Sequence, residues 1–108
     1  MPLYMTQFAY TPEAWASLVD NPEDRSVPVG HLAESMGGRL ASWYLSFGEY
    51  DGLAIYEASD DATAGALVMA AARRGHFRAT KTTPLFTAEE SVEMMSRAGG
   101  TTYRAPGL

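Results

Sequence analysis

Residues Arg39 to Ala58 read RLASWYLSFGEYDGLAIYEA. Arg39 to Phe47 is rich in aromatic and aliphatic residues and reads as a strand. The pentad Gly48-Glu49-Tyr50-Asp51-Gly52 reads as a turn, and Leu53 to Ala58 as the returning strand of a hairpin. Working outward, Gly37-Gly38 closes a helical stretch that begins at about Pro22. Pro28 and Gly30 interrupt that stretch, which predicts either a restart at Ser26 or a kink. Asn21-Pro22 separates it from a first helix, Pro12 to Asp20, which Thr11 caps. Before that, Leu3 to Tyr10 alternates with the period of a strand, and Tyr4, Thr6, Phe8 and Tyr10 share one side.

Downstream of the hairpin, Ser59-Asp60-Asp61 caps a helix of small residues, Ala62 to Arg73, that ends at Gly75. His76 to Thr83 reads as a fourth strand, ended by Pro84. Thr87-Ala88-Glu89-Glu90 has the capping-box pattern that opens a last helix to Ala98, closed by Gly99-Gly100. The order is β, α in two pieces, β, β, α, β, α. That is the split βαβ plan of an α+β, ferredoxin-like βαββαβ plait with an extra C-terminal helix. The reading is one domain over residues 1–100 with an extended tail over 101–108. Both sides of the first strand carry large apolar groups, as does Leu40 to Phe47, where Trp43, Leu45 and Phe47 alternate with Leu40 and Tyr44. A sheet with helices on one face therefore needs a cover on the other, and a homodimer forming an α/β barrel is expected. A sedimentation mass equal to the monomer at micromolar concentration would contradict it.

Composition narrows the chemistry. The 108 residues contain no cysteine, which excludes disulfides, a thiolate nucleophile and a cysteine zinc site. A net charge of −5, from 13 acidic against 8 basic residues, argues against a nucleic-acid partner. The N-terminus lacks a basic signal-peptide region, and the longest apolar run, Ala66 to Ala72, is far short of the roughly 20 residues of a spanning helix. The expectation is a soluble cytoplasmic protein with no membrane partner. Seven arginines to one lysine, with 17 alanines, fit a GC-rich bacterial genome.

Three segments resemble the GYD-domain family: Tyr4-Met5-Thr6-Gln7-Phe8 with Tyr10-Thr11, Phe47-Gly48-Glu49-Tyr50-Asp51, and Lys81-Thr82-Thr83-Pro84-Leu85 with Thr87 and Glu90. The resemblance spans about positions 3 to 98, with Glu49 interrupting the label tripeptide. It implies a ferredoxin-like fold related to dimeric α/β-barrel proteins. That group includes cofactor-free monooxygenases, haem-degrading, decarboxylase-like and isomerase-like enzymes, and non-catalytic binding modules. Pro28-Val29-Gly30-His31 departs from the uninterrupted helix the family implies.

His76 is the foremost polar candidate, because it sits at a helix–strand junction with Arg78 two residues on. It would serve as general base or as a ligand-orienting group, and its bland alternative is capping the helix end. Tyr50 and Asp51 are the other candidate catalytic residues, as hydrogen-bond donor and as acceptor or base. Asp51 equally suits an Asx-turn that bonds its own backbone. Tyr10, Trp15, Trp43 and Tyr44 are candidates to line a pocket for a planar or apolar small organic ligand, although most aromatics of such a chain pack in a core or interface. Met69, Met94 and Met95 read as core filler. His31 and His76 lie 45 positions apart without a ligand spacing, so no metal site is expected. Nothing in the sequence selects haem, and no cofactor is expected. Lys81 lacks the glycine of a phosphate loop. Together these features suggest a pocket between sheet and helices that binds a small apolar or aromatic molecule, with cofactor-free oxygenation or proton transfer as the chemistry. The alternative is a non-catalytic homo-oligomeric binding or assembly module.

Overall fold

The structure, a computed structural model, describes residues 1–107. Its elements are β1 (Leu3–Tyr10), α1 (Pro12–Asp20), α2 (Ser26–Ser35), β2 (Arg39–Leu45), β3 (Gly52–Glu57), α3 (Asp61–Ala72), β4 (Phe77–Leu85) and α4 (Ala88–Gly99). The strands form one antiparallel sheet in the order β2-β3-β1-β4, the ferredoxin-like arrangement.

Local chemistry accounts for most boundaries. The Thr11 side chain accepts from the Ala14 N–H, and Pro12 takes the first turn of α1, where its missing N–H costs nothing. Helix α2 starts at Ser26 rather than Pro22, because the Asp24 carboxylate accepts from both the N–H and the hydroxyl of Ser26, at 2.9 and 2.6 Å. Pro28 then falls in the first turn, where no intrahelical donor is lost. Gly37, at φ 80°, lets the chain leave α2 in the left-handed region. The Asp60 side chain accepts from the Thr63 N–H at 2.8 Å and starts α3. The Thr87–Glu90 capping box is fully formed at the head of α4.

Helices α2 and α3 cover one face of the sheet. Ala33, Ala64 and Leu67 pack there on Tyr4, Ala54 and Tyr56, with Leu40 and Trp43 at the margin. Beneath the helices the Tyr4 and Tyr56 rings stack on each other, their centroids 5.9 Å apart. The Tyr4 hydroxyl donates to Asp61 Oδ1 at 2.6 Å, tying β1 to the first turn of α3; that carboxylate pushes the Tyr4 pKa up to about 12. Tyr56 shares a 2.8 Å bond with the Thr6 hydroxyl, which shares a 2.9 Å bond with that of Thr82. The hydroxyls crossing the apolar face are thus satisfied by one another.

Four features differ from the sequence expectation. Strand β2 stops at Leu45, and Phe47 lies in the loop, almost fully exposed. A β-bulge between Leu40 and Ser42 adds a residue to β2, so Leu40, opposite Tyr56, and Trp43, opposite Ala54, share the helix-covered face instead of alternating. Pro84 does not end β4 but pairs with Tyr4; β4 is an edge strand, where a residue without an N–H is tolerated. Met69, Met94 and Met95 are exposed rather than core filler, Met69 on the outward side of α3 and the other two on α4.

Helix α4 has no buried residue and is barely packed on the rest of the protomer, which measures 57 × 34 × 22 Å. The opposite sheet face carries Leu3, Met5, Leu53, Ile55 and Leu85, all half-buried, and Tyr44, exposed. Residues 101–107 carry neither helix nor strand, and Leu108, the end of the expected tail, lies outside the described residues. Among the described residues no helix is long and apolar enough to cross a membrane.

Candidate functional site

The ends of β1 and α3 and the beginnings of α2 and β4 converge at one end of the protomer. Tyr10 pairs with Phe77, and the Thr11 N–H donates to the His76 carbonyl at 3.0 Å, which fixes the start of β4 against the end of β1. Around this junction the aromatic rings form a continuous group. Phe8 lies 5.3 Å from Tyr10, 5.3 Å from Phe77 and 5.9 Å from Trp43, and Tyr10 lies 5.2 Å from Trp15 in an edge-to-face contact. Between these rings and helices α2 and α3 the layers leave unfilled space.

That space is a cavity of about 260 Å³ between the sheet and helices α2 and α3. Phe8, Trp43 and Phe77 supply its floor, and Val29, Leu32 and Leu67 its roof. Its polar wall is made by Arg25, Arg74 and His76. The His76 ring is half-buried and lies 4.2 Å from that of Phe77. Burial, and next the Arg25 guanidinium, hold its pKa below the ordinary 6.5, so the imidazole is neutral at pH 7. Burial raises the Tyr10 pKa, with Arg25 close enough to oppose that rise.

A depressed histidine pKa has a defined consequence for stability. The folded state binds fewer protons than the unfolded state wherever His76 is neutral in one and charged in the other. This contribution is therefore fully present above pH 6.5 and is lost as pH falls through the folded pKa. We expect His76 to titrate below 6.5 by NMR, and His76→Gln to lessen the loss of stability as pH falls below 6.5. An imidazole that titrates above 6.5 would contradict the placement.

The other expected residues are not all gathered here. Tyr10 and Trp43 line the cavity. Trp15 instead borders a shallow hollow on the far side of Tyr10, with Leu18, Val19 and Glu23. Tyr44 is exposed on the opposite sheet face, and His31 is exposed on α2. Tyr50 is half-buried outside the cavity wall, its carbonyl accepting from the Ser46 hydroxyl at 3.1 Å. Asp51 is 8% exposed and also lies outside that wall. Its Oδ2 accepts from the Tyr10 N–H at 2.8 Å and from Trp15 Nε1 at 3.3 Å. Its own N–H donates to the Phe8 carbonyl, and its carbonyl accepts from the Ser46 N–H, both at 2.7 Å. Through Oδ2 and its N–H this residue ties the turn to β1 and α1, and through its carbonyl it closes the turn on Ser46. Arg25 and Arg74 escaped the sequence reading, because one precedes an interrupted helix and the other follows a helix end, with no spacing that ties them together.

A family model described as "GYD domain" matches residues 4–95. The chain belongs to the GYD-domain family. Within this GYD-domain protein, Asp51 of the turn is the clamp just described, and Tyr50 lies beside it. No curated protein matches the chain in sequence. Among solved structures, it is similar to TTHA0845 from Thermus thermophilus, with 17% identity over 82% of this chain and 96% of that one, at a TM-score of 0.53. It also aligns with FFRP-DM1, with 15% identity over 80% of this chain and 100% of that one, at a TM-score of 0.49. The first likeness agrees with the ferredoxin-like fold.

Proposed function

We propose that this GYD-domain protein binds a small apolar or aromatic molecule in the cavity between its sheet and helices α2 and α3. The observation that carries the reading is the wall itself, where Phe8, Trp43 and Phe77 face Val29, Leu32 and Leu67 across about 260 Å³. That is slightly below the roughly 300 Å³ at which drug-sized pockets begin, and suits a one- or two-ring compound. Apolar walls with a few polar groups at one end are the usual design of such sites.

The test uses 2-naphthol, with the backbone amide NMR shifts of cavity residues as readout. We expect saturable binding to the wild type and its loss in Ala71→Leu, which fills the cavity from α3 while keeping a strong helix former. Unchanged binding in that variant, with a native circular dichroism spectrum, would place the compound elsewhere and overturn the reading. A second reading, proton transfer on the bound molecule, is favoured by His76: a neutral imidazole at the cavity wall is a competent base. Of the three polar residues expected to act, His76 alone lines the cavity.

The protein acts as a homodimer in this proposal. Support comes from the apolar sheet face opposite the helices and from α4, whose Val92, Met94 and Met95 are exposed on a helix barely packed on the protomer. A second copy supplies the same two features and buries both. The sedimentation mass decides between one copy and two.

A further inference from the structure

We propose that the molecule taken by this cavity carries one carboxylate, held by Arg25 and Arg74, with its apolar body lying over Phe8 and Trp43. The inference rests on the cavity being a binding site and adds the class of ligand. Its basis is the distribution of charge. The chain has 13 acidic and 8 basic residues, yet the cavity wall contains two arginines, a histidine and no carboxylate.

Arg25 is shared between the cavity and the hollow beyond Tyr10, where one of its N–H groups meets Glu23. Arg25 Nη1 donates to Glu23 Oε1 at 2.8 Å, but Glu23 borders the hollow beyond Tyr10 and not the cavity. The guanidinium also lies against the Tyr10 hydroxyl, and the N–H groups beyond these two contacts keep the fork geometry that matches a carboxylate. Asp51, the nearest buried acid to Tyr10, is taken up by the Tyr10 N–H and the Trp15 indole. Arg74 makes no ion pair among the described residues. Arg25 is half-buried and Arg74 exposed, so the attraction that water screens least is the one at Arg25. At the other side of the cavity, the Thr6 and Tyr56 hydroxyls satisfy each other, so that region asks for no second polar group.

The test compares benzoate, 2-naphthoate and octanoate with their primary amides, which keep the shape and lose the charge. Binding is followed by backbone amide NMR shifts at constant ionic strength. We expect at least one acid to bind about tenfold or more tightly than its amide. Arg25→Met should abolish the preference, the acid losing far more affinity than the amide, Arg25→Lys should keep part of it, and Arg74→Gln should reduce it. Equal affinity of acid and amide in the wild type would overturn the carboxylate and leave the cavity reading intact. Absence of shifts at cavity residues with all six compounds would overturn both. Equal loss of acid and amide binding in Arg25→Met and Arg74→Gln would assign these arginines to folding and also overturn the proposal.

Discussion

Replacing Asp51 with alanine is expected to lower the stability of the protein by about 3 kcal/mol, one of the two largest single-residue effects argued from this structure. The substitution strands the Tyr10 N–H and the Trp15 indole N–H, which both donate to the same carboxylate oxygen. A buried donor left without a partner costs about 1–3 kcal/mol, and bonds to an ionised acceptor lie at the strong end of the scale. With total stabilities of about 5–15 kcal/mol typical of domains, this is a large fraction, worth roughly 15 °C in melting temperature. Asp51→Asn retains an oxygen at the position that accepts both donors and loses only the charge, so its cost should be about 1 kcal/mol. Urea titration of the three proteins checks the series. An alanine variant within about 0.5 kcal/mol of the wild type would show that the two donors find other partners or water.

The second large effect is at the neighbouring residue. A methyl group on Gly52 would lie 2.5 Å from Phe8 Cζ, 2.8 Å from Phe8 Cε1 and 2.9 Å from the Tyr44 carbonyl oxygen. Neither neighbour yields readily: the Phe8 ring is held among Tyr10, Trp43 and Phe77, and the carbonyl belongs to the β2 backbone. Gly52→Ala should therefore cost about 2–3 kcal/mol by overpacking. It should also weaken ligand binding, because the ring it displaces is part of the cavity floor. The combination distinguishes it from Asp51→Asn, which leaves the floor in place. Denaturant midpoint and 2-naphthol affinity measured on the same variant check both halves. A variant with native stability would mean that Phe8 has a second rotamer free to receive the methyl.

How much of this was legible in the sequence depends on the range of the interaction involved. The Thr11-Pro12 start of α1, the Asp60 cap and the Thr87–Glu90 box are contacts within four residues, and each appears where its spacing predicts. The alternation of Tyr4, Thr6, Phe8 and Tyr10 likewise places them on one sheet face. The bulge in β2 was not legible, because alternation alone cannot show where one extra residue enters, and it reversed the relation of Leu40 to Trp43. From sequence Pro84 reads as a stop, because edge and centre strands are indistinguishable until the sheet order is known. His76 was found from its place at a junction, whereas Arg25 and Arg74 are brought to it only by packing of α2 and α3 on the sheet. For Asp51 both readings, turn bond and acid–base group, were open from sequence. The geometry gives its carboxylate to Tyr10 and Trp15, partners 41 and 36 residues away.

Pro84 and the bulge in β2 sit on the two outermost strands of the sheet, and together they bear on how copies of this chain can add to one another. A free strand edge is a template on which another chain can extend the ladder without limit, the first step of fibrous aggregation. On β4 the ladder is broken by a residue with no donor, and on β2 by an irregular spacing of donors and acceptors. End-on growth of a continuous sheet is disfavoured at both borders. The same irregularities that obscured the strands in the sequence thus work against an open polymer built edge on edge.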